Sequence, residues 1–327
     1  MSQKLKLSAW FVATISMVIT LGAATAQALP LITCNNASLT PNSATITTFD
    51  FNGGATVNSF LPDGAQVPAN TNNGRGLLVL GNLIYYADLG GAGFAPTDFI
   101  RIAPFNGGAG GADIGTLPNP RPADGIQDIA VFKNQLYVLT GYPLDAPEVF
   151  VLDAVTGAII SGPLPIGAPA ATDSDGFTVL ANGNFLINSG DGSCEYNQYD
   201  STTGNVIPAT TITVPGAGFC TGVETDGISL FFETDLDSFT QTDLSGNLVT
   251  RQSVAANQCE DISLGTGVCF GAAKAIPGKP NCHGKCVSFL ATTHGGFEQA
   301  VDDLGFATVK DLQNAIHDFC GANGKKK

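Results

Sequence analysis

A pattern of two strands joined by a glycine turn recurs five times and constrains the fold more than any other feature. It occurs at residues 46–60, 99–111, 149–162, 196–209 and 239–252, with turn glycines 42 to 54 residues apart. A second hairpin, in which a polar turn precedes a strongly apolar strand, occurs at 77–90, 126–141, 176–190, 222–235 and 260–273. One pair of hairpins supplies about four strands in 40 to 50 residues, the size of a propeller blade.

The alternating hairpins predict a mainly β chain folded as a β-propeller. Five blades account for the pairs, and a sixth is the alternative if residues 61–76 or 105–124 form one. We expect the hairpin at 46–60 to join the strands at 260–273, because such closure removes the strand edges that invite aggregation. A β-helix or a β-sandwich is the other all-β fold that this pattern allows.

The sequence "DGI…LYV…VLDAVTG" of residues 124–157 carries a resemblance to known propellers. This segment and its weaker copies resemble the NHL-like and YVTN-like secreted β-propellers over about 230 residues. The resemblance implies the fold and no particular activity, since such propellers serve many functions.

The first 28 residues are typical of a secretory signal peptide. Lys4 and Lys6 precede an apolar run at 8–22, and Ala26-Gln27-Ala28 forms a small-residue cleavage site. A membrane anchor is the alternative, but a span needs about 20 apolar residues. The sequence therefore predicts a secreted or periplasmic protein with no transmembrane segment in the mature chain.

The charge balance excludes two classes of partner. The chain has 28 acidic and 14 basic residues, which gives a formal net charge of −14. Such a chain repels nucleic acid and anionic membranes. An unidentified protein or small molecule is the expected partner.

The composition changes near residue 274 from strongly acidic to mildly basic, which indicates a domain boundary. We predict a propeller at 29–273, a linker at 274–281, a helical module at 282–322 and a basic tail at 323–327. Helices are expected at 282–294, 297–305 and 308–321. The apolar stripe of the last helix consists of Val309, Leu312, Ile316 and Phe319, and Thr308 with Asp311 resembles a capping box.

The module has its own recognisable pattern, "CxGxCVSxL…GG…LG…LQ…I…FC". It is similar to a small cysteine-containing helical module that ends other proteins predicted to be exported from bacteria. The similarity implies no activity.

Eight cysteines in an exported chain predict disulfide bonds. We favour a Cys194–Cys220 pair between neighbouring blades, and Cys320 with Cys282 or Cys286 as the staple of the module. The remaining candidates are Cys34, Cys259 and Cys269. A Zn²⁺ site formed by Cys282, His283, Cys286 and Cys320, or a redox centre, is the alternative in the module.

The propeller contains no histidine, because His283, His294 and His317 all lie in the module. A Ser-His-Asp triad and a histidine-ligated transition metal are therefore excluded from the propeller.

Acidic residues precede or begin several of the predicted first strands, whose loops should converge on one mouth of the channel. Carboxylates that lie close together repel each other unless protonated or bridged by a cation, so Ca²⁺ is the candidate ligand. Gluconolactonase-like propellers, which are similar in broad architecture, hold a divalent metal there. The alternatives are ordinary solvated turn residues and a glycosidase-like carboxylate pair. The candidate residues are Asp124, Asp128, Asp173, Asp175, Glu224, Asp226, Glu260 and Asp261.

These patterns single out no catalytic residue, and the leading hypothesis is an exported, non-catalytic binding or interaction protein. One alternative is a divalent-cation-dependent hydrolase or lactonase-like enzyme with a carboxylate-lined channel mouth. Another is a structural or surface-associated protein that docks through its C-terminal module.

Overall fold

The protein is mainly β, with three short helices at its C-terminal end. The computed structural model describes residues 31–36, 46–50, 56–60, 75–80, 83–88, 99–106, 109–110, 114–122, 124–132, 135–142, 146–171, 173–190, 192–254, 259–264, 281–303, 306 and 308–320. The strands are β1 (Leu31–Asn36), β2 (Ile46–Asp50), β3 (Thr56–Phe60), β4 (Leu77–Leu80), β5 (Leu83–Asp88), β6 (Phe99–Asn106), β7 (Ala109–Gly110), β8 (Gly115–Pro118), β9 (Gly125–Phe132), β10 (Gln135–Tyr142), β11 (Glu148–Asp153), β12 (Ile159–Pro165), β13 (Phe177–Val179), β14 (Phe185–Asn188), β15 (Glu195–Tyr199), β16 (Ile212–Thr213), β17 (Cys220–Thr225), β18 (Ser229–Thr234), β19 (Ser238–Asp243), β20 (Leu248–Ser253) and β21 (Cys259–Ser263). The helices are α1 (Cys282–Thr293), α2 (Phe297–Asp303) and α3 (Val309–Cys320).

The strands form antiparallel sheets arranged as a propeller. Sheet 1 has the order β21-β1-β2-β3, sheet 3 runs from β9 to β12, sheet 4 from β13 to β16, and sheet 5 from β17 to β20. Sheet 2 contains β4 to β8. The first strands contact one another in the cyclic order β21, β4, β9, β13, β17 and back to β21. The predicted fold class, a β-propeller followed by helices, is confirmed.

The sheets differ from the expected five, or six, uniform blades. Four of them are regular four-stranded blades, whereas sheet 2 has five strands. The physical reason is the long β6, whose outer edge is shared: Phe105 and Asn106 pair with β7, and residues 99–102 pair with β8. The strands in 105–124 therefore extend sheet 2 instead of starting a new blade. Residues 61–74 lie outside the described residues.

Closure of the propeller combines distant parts of the chain in sheet 1. β21 pairs with β1, and β1 pairs with β2, so the hairpin of β2 and β3 shares a sheet with β21. The sequence predicted this sheet but not β1 as the strand between its two parts. Residues 265–273, which were expected to add a second strand after β21, lie outside the described residues.

The recurring glycine turns are held by an aspartate at their start. Asp153 Oδ1 accepts hydrogen bonds from the Val155 and Thr156 N–H groups, and Asp200 Oδ1 accepts them from Thr202 and Thr203. Glycine follows four residues after each aspartate, at φ of 68° and 69°. Only glycine adopts this left-handed conformation without a steric cost, which explains why a glycine recurs four residues after the aspartate of these turns.

Apolar side chains fill the spaces between neighbouring sheets. Phe49 and Phe239, with ring centroids 5.8 Å apart, pack between sheets 1 and 5. Tyr196 and Phe232, with centroids 4.8 Å apart, pack between sheets 4 and 5. Because first and second strands are covered on both faces, most of their side chains are buried.

The predicted Cys194–Cys220 disulfide bond is confirmed, with the two Cα atoms 4.9 Å apart. It ties the residue that precedes β15 in sheet 4 to the first residue of β17, the first strand of sheet 5. Cys259, Cys282 and Cys286 also take part in disulfide bonds, and no described cysteine is free. Their oxidation disfavours the Zn²⁺ alternative. Cys269 and the side chains of Cys34 and Cys320 lie outside the described residues, so the other pairings stay predictions.

Replacing Cys194 and Cys220 together by alanine should lower the free energy of unfolding by about 3 kcal/mol. The cross-link restricts the unfolded chain, and the closed loop spans 26 residues. Denaturant unfolding of the two proteins at equal pH measures this difference. A loss below about 1 kcal/mol would contradict a stabilising role for this bond.

The helical module packs around cysteine and aliphatic side chains. Cys282, Cys286, Leu290, Leu312 and Ile316 are buried together. The predicted apolar stripe is correct for Leu312 and Ile316 but wrong for Val309, which begins α3 and is exposed; the Phe319 side chain lies outside the described residues.

The predicted cap is confirmed, since Thr308 Oγ1 donates to Asp311 Oδ2 and accepts from the Asp311 N–H. Within the described residues, no helix has the length and apolarity needed to cross a membrane.

Candidate functional site

Two buried aspartates meet on the axis of the propeller. Asp261 accepts hydrogen bonds from the N–H groups of Ile262, at 2.7 Å, and of Leu77 in sheet 2, at 2.6 Å. Asp128 does the same for Ile129 and for Phe177 in sheet 4, both at 2.6 Å. Each carboxylate thus joins its own first strand to the first strand of the next sheet.

Glycine occupies the corresponding position in β17, as Gly222, and immediately before β13, as Gly176. A Cβ on Gly222 would lie 2.5 Å from Asp261 Oδ1 and 2.8 Å from the Ile262 nitrogen. A Cβ on Gly176 would lie 2.8 Å from Tyr196 Cε1 and would overlap the Thr221 carbonyl oxygen. A side chain at either glycine would therefore collide with residues of a neighbouring strand.

The two aspartates interact directly across the axis. Burial raises the pKa of Asp261 to about 8, and its hydrogen bond with Asp128 opposes this rise. Burial, followed by repulsion from Asp261, raises the pKa of Asp128 well above its usual value. A proton held between the two carboxylates removes the repulsion, as it does in other close carboxylate pairs.

Irregular pairing marks the start of three first strands. The register shifts beside Gln127 in β9, beside Thr221 and Gly222 in β17, and beside Glu260 in β21. In each case the first strand has one extra residue relative to its partner. Such bulges change the direction in which side chains point, and these three bulges lie in the strands next to the axis.

Buried polar side chains lie near this end of the axis on both faces of sheet 5: Asn188 and Tyr196 lie between sheets 4 and 5, whereas Glu233 pairs with Phe239 and faces sheet 1. We call Asn188, Tyr196, Thr221 and Glu233 the axial polar cluster. The Tyr196 hydroxyl donates to the Thr221 carbonyl oxygen at 2.6 Å, and Thr221 Oγ1 donates to Glu233 Oε2 at 2.7 Å. Asn188 pairs with Tyr196 in the β14–β15 ladder, so both side chains lie on the same face of sheet 4.

Two members of the cluster have unsatisfied polar atoms. Asn188 is fully buried, and neither its amide nitrogen nor its amide oxygen has a hydrogen-bond partner among the described residues. Glu233 is also fully buried, and its Oε1 has no such partner there. Buried side chains normally satisfy these groups, so the cluster has hydrogen-bonding capacity that the surrounding protein does not use.

Electrostatic effects connect the cluster with the axis. Burial raises the pKa of Glu233 well above its usual range, and repulsion from Glu260 adds to this effect. Burial and the nearby charges of Glu233, Asp128, Asp175 and Asp261 raise the pKa of Tyr196. Tyr196 therefore lies within electrostatic reach of carboxylates from four different sheets.

Arginine pairs with two of the predicted channel-mouth residues. Asp175 forms a 2.9 Å ion pair with Arg75, which crosses from sheet 2 to sheet 4. Asp124 forms a 2.7 Å ion pair with Arg121, three residues earlier. Because these carboxylates already have cationic partners, they do not require a metal ion for charge balance.

The remaining predicted carboxylates are dispersed. Glu224 is buried, accepts a hydrogen bond from Thr178 Oγ1 at 2.9 Å, and has a pKa raised by burial to about 7. Asp226 accepts hydrogen bonds from the Ile228 and Ser229 N–H groups within a turn, as the turn alternative predicted. Asp173 and Glu260 are partly exposed.

The eight predicted metal ligands do not converge as one group. In the described part of the chain, no three His, Cys, Asp or Glu side chains are placed to hold a metal ion together. Asp128 and Asp261 meet because the propeller axis is narrow, whereas Asp124, Asp175 and Asp226 are held by arginine or by their own turns. The Ca²⁺ site remains a prediction that this geometry does not favour.

The sequence-based prediction missed Asn188, Tyr196 and Glu233. Asn188 precedes "SG" and reads as a turn residue, and Glu233 begins "ETDLDS", which reads as an acidic loop. The only signal was the position of Asn188 and Glu233: each follows a run of apolar strand residues without an intervening polar residue.

Comparison with known proteins identifies no family. No family model matches the chain, and no curated protein matches it. Among solved structures it is similar to Myxococcus xanthus glutaminyl cyclase, with 9% identity over 55% of this chain and 70% of that chain and a TM-score of 0.41. It is also similar to a protein of unknown function from Bacteroides caccae, with 9% identity over 72% of this chain and 98% of that chain and a TM-score of 0.45. Similarities this low are no basis for assigning a site or an activity to this chain.

Proposed function

We propose that this is an exported binding protein whose propeller takes a small polar ligand at Asn188, between sheets 4 and 5. The signal-peptide pattern of residues 1–28 supports export. The resemblance to NHL-like and YVTN-like propellers supports a secreted propeller, and we propose that sheet 2 acts as the fifth blade of the ring. The C-terminal module then follows the propeller as a separate, disulfide-stapled unit.

The observation that carries the binding proposal is the buried amide of Asn188. Leaving a buried hydrogen-bonding group without a partner costs about 1–3 kcal/mol. Apolar residues of similar size, such as the leucine at 186 two positions earlier, fit the same strand without this cost. A ligand that bonds to Asn188 would offset the cost, which is a physical reason to keep a polar residue here.

The enzyme alternatives have less support. A glycosidase needs two carboxyl groups about 5 Å or more apart to flank a sugar, whereas Asp128 and Asp261 hydrogen-bond to each other. A lactonase-like site needs several ligands around a divalent cation, and the described carboxylates are not grouped in this way. Docking of the protein through its C-terminal module is compatible with ligand binding and is not an alternative to it.

Replacing Asn188 by leucine should abolish ligand binding while leaving the melting temperature equal or higher. The substitution removes an unsatisfied buried amide and keeps the side-chain volume similar. The measurement is a thermal-shift screen of sugars, polyols, amines and amino acids on the unmodified protein and on Asn188→Leu, since a ligand of the folded state raises its stability.

The control is Gln241→Leu, which also removes a buried amide with an unpartnered oxygen but lies on β19, the third strand of its sheet. We expect this variant to keep the ligand response. The proposal would be contradicted if compounds that stabilise the unmodified protein stabilise Asn188→Leu equally, or if no compound of the screen stabilises the protein.

A further inference from the structure

Sheets 4 and 5 themselves close most of the space that contains Asn188. Toward the axis, Gly176 lies so close to Thr221 that a Cβ on the glycine would overlap the Thr221 carbonyl oxygen. Toward the middle of the sheets, apolar side chains such as Leu186 and Phe232 pack together. Because Asn188 is fully buried, a ligand reaches it only if part of this cover moves.

The end of this space is closed by Gly192, Ser193 and Cys194, which we call the covering segment. Asn188 is the last residue of β14, and the covering segment leads directly into β15, so both lie at the same end of sheet 4. Cys194 packs against the apolar cluster that contains Tyr196, the ladder partner of Asn188. The covering segment therefore spans the gap between sheets 4 and 5 beside Asn188.

The covering segment is held against sheet 5 by packing, by a hydrogen bond and by a covalent bond. Gly192 lies so close to Phe219 that a Cβ there would be 2.4 Å from the Phe219 Cε2 atom. The Cys220 N–H donates to the Gly192 carbonyl oxygen at 3.3 Å, which is long for a hydrogen bond. The covalent bond is the disulfide between Cys194 and Cys220. If it is broken, only the weaker contacts named here remain.

Phe219 is fixed to sheet 5 and not to the covering segment. The N–H groups of Gly218 and Phe219 both donate to Asp235 Oδ1 at 3.0 Å. The Phe219 carbonyl oxygen also accepts a hydrogen bond from the Asp235 N–H at 2.8 Å. Phe219 therefore stays with sheet 5 if the two sides separate.

Other backbone hydrogen bonds connect the covering segment with its own sheet. The Ser193 N–H donates to the Gly190 carbonyl oxygen, and the Val214 N–H donates to the Cys194 carbonyl oxygen, both at 2.9 Å. These bonds do not cross to sheet 5. They therefore do not oppose a movement of Gly192 away from Phe219.

The disulfide bond can be attacked from one side. Cys194 is partly exposed, whereas Cys220 is fully buried, so a thiolate in solution reaches the Cys194 sulfur atom first. An external dithiol completes the reaction. The sulfur–sulfur bond breaks, the two cysteines take up two electrons and two protons from the dithiol, and the dithiol is oxidised to a disulfide.

We propose that the Cys194–Cys220 bond is a redox switch that controls access to Asn188. In the oxidised protein the covering segment stays against Phe219 and the space between sheets 4 and 5 is shut. After reduction Gly192 moves away from Phe219, and a small polar ligand can reach Asn188. The role of Asn188 as the ligand's partner rests on the proposed function, whereas the opening can be measured without a ligand.

Backbone hydrogen exchange measures the opening. The N–H groups of Asn188 and Ser189 are the reporters, since both are hydrogen-bonded at the end of sheet 4 that the covering segment closes. Loss of the disulfide bond also lowers global stability, and the amides of β10 in sheet 3 report that effect. In Cys194→Ala/Cys220→Ala, we expect exchange at the reporters to accelerate about tenfold more than exchange in β10.

The unmodified protein provides a second measurement if this variant does not fold. Dithiothreitol is added at a concentration at which mass spectrometry shows Cys194 and Cys220 reduced and the buried Cys282 and Cys286 still oxidised. We expect the same selective acceleration at Asn188. Reoxidation should restore slow exchange.

The outcomes separate the switch from the ligand site. Equal acceleration of the reporters and of β10 would overturn the switch, because the bond would then stabilise the whole propeller without controlling the covering segment. Unchanged exchange at Asn188 and Ser189 would overturn it as well. Neither result affects the proposed function, which Asn188→Leu tests in the thermal-shift screen. A failed screen would overturn that function and leave the measured opening in place.

Discussion

Raising the pH from 5 to 8 should lower the free energy of unfolding of this protein progressively. Asp261 and Glu224 have folded-state pKa values of about 8 and about 7, and that of Asp128 is also raised, all mainly by burial. In the unfolded chain these groups titrate near pH 4. Between these limits the folded state holds protons that the unfolded state has lost, so increasing pH favours unfolding.

The slope of this effect indicates how many groups are involved. Each group protonated only in the folded state contributes about 1.4 kcal/mol per pH unit. The stabilisation is complete below about pH 4 and is lost as the pH rises through the folded-state values. Exposed turn aspartates such as Asp153 and Asp200 act oppositely, because backbone hydrogen bonds lower their pKa and their contribution disappears in acid. Maximal stability is therefore expected at mildly acidic pH.

Denaturant unfolding at several pH values and constant ionic strength measures the slope. In Asp261→Asn the slope should be smaller, because one of the titrating groups is absent. This variant should also be less stable at pH 5, since the amide nitrogen that replaces one carboxylate oxygen is a donor, so either the Leu77 or the Ile262 N–H loses its acceptor. Asp200→Asn is the control in an exposed turn. A free energy of unfolding that is constant or rises between pH 5 and 8 would contradict the protonated axis.

Replacing Gly176 by alanine should destabilise the protein by at least about 3 kcal/mol or prevent folding. The new methyl group would overlap the Thr221 carbonyl oxygen and approach Tyr196 Cε1 at 2.8 Å. Neither neighbour can move easily. Thr221 belongs to the first strand of sheet 5, and the Tyr196 ring is held by its hydrogen bond to Thr221 and by contact with Phe232.

Gly167→Ala is the matched control for this substitution. Its added methyl group would have its nearest neighbour at 3.6 Å, an ordinary van der Waals contact, and Gly167 does not have a positive φ. We expect its melting temperature to be close to that of the unmodified protein. Similar melting temperatures for Gly176→Ala and the unmodified protein would show that the axis is less tightly packed than described.

Local sequence patterns were sufficient to predict the recurring hairpins and their turns, but not β1, β8 or β16. Asp153 and Asp200 mark turns because a carboxylate, two following N–H groups and a glycine at φ near 70° form a self-contained unit. The pairing of Cys194 with Cys220 followed from their positions in consecutive blades. The contents of sheet 2 could not be predicted, because the division of β6 between β7 and β8 depends on which edge is free after folding.

The site was less accessible to sequence reasoning. Alternation of polar and apolar residues identifies a strand with one solvated face, but β14 and β18 are buried on both faces. Asn188 and Glu233 therefore look like strand ends facing water. Asp128 and Asp261 were singled out correctly as acidic residues near the axis, yet their role emerged from the three-dimensional structure, which places them against each other and against the N–H groups of the next sheet.

The pairing of β21 with β1 sets the order in which the propeller can be completed. More than 220 residues separate Asn36 from Cys259, and synthesis of such a length takes roughly ten to fifty seconds. Throughout that interval β1 carries unpaired N–H and C=O groups along one edge, the kind of edge to which foreign strands add. Sheet 1 therefore cannot be completed until β21 has been synthesised, although it contains the first strands made.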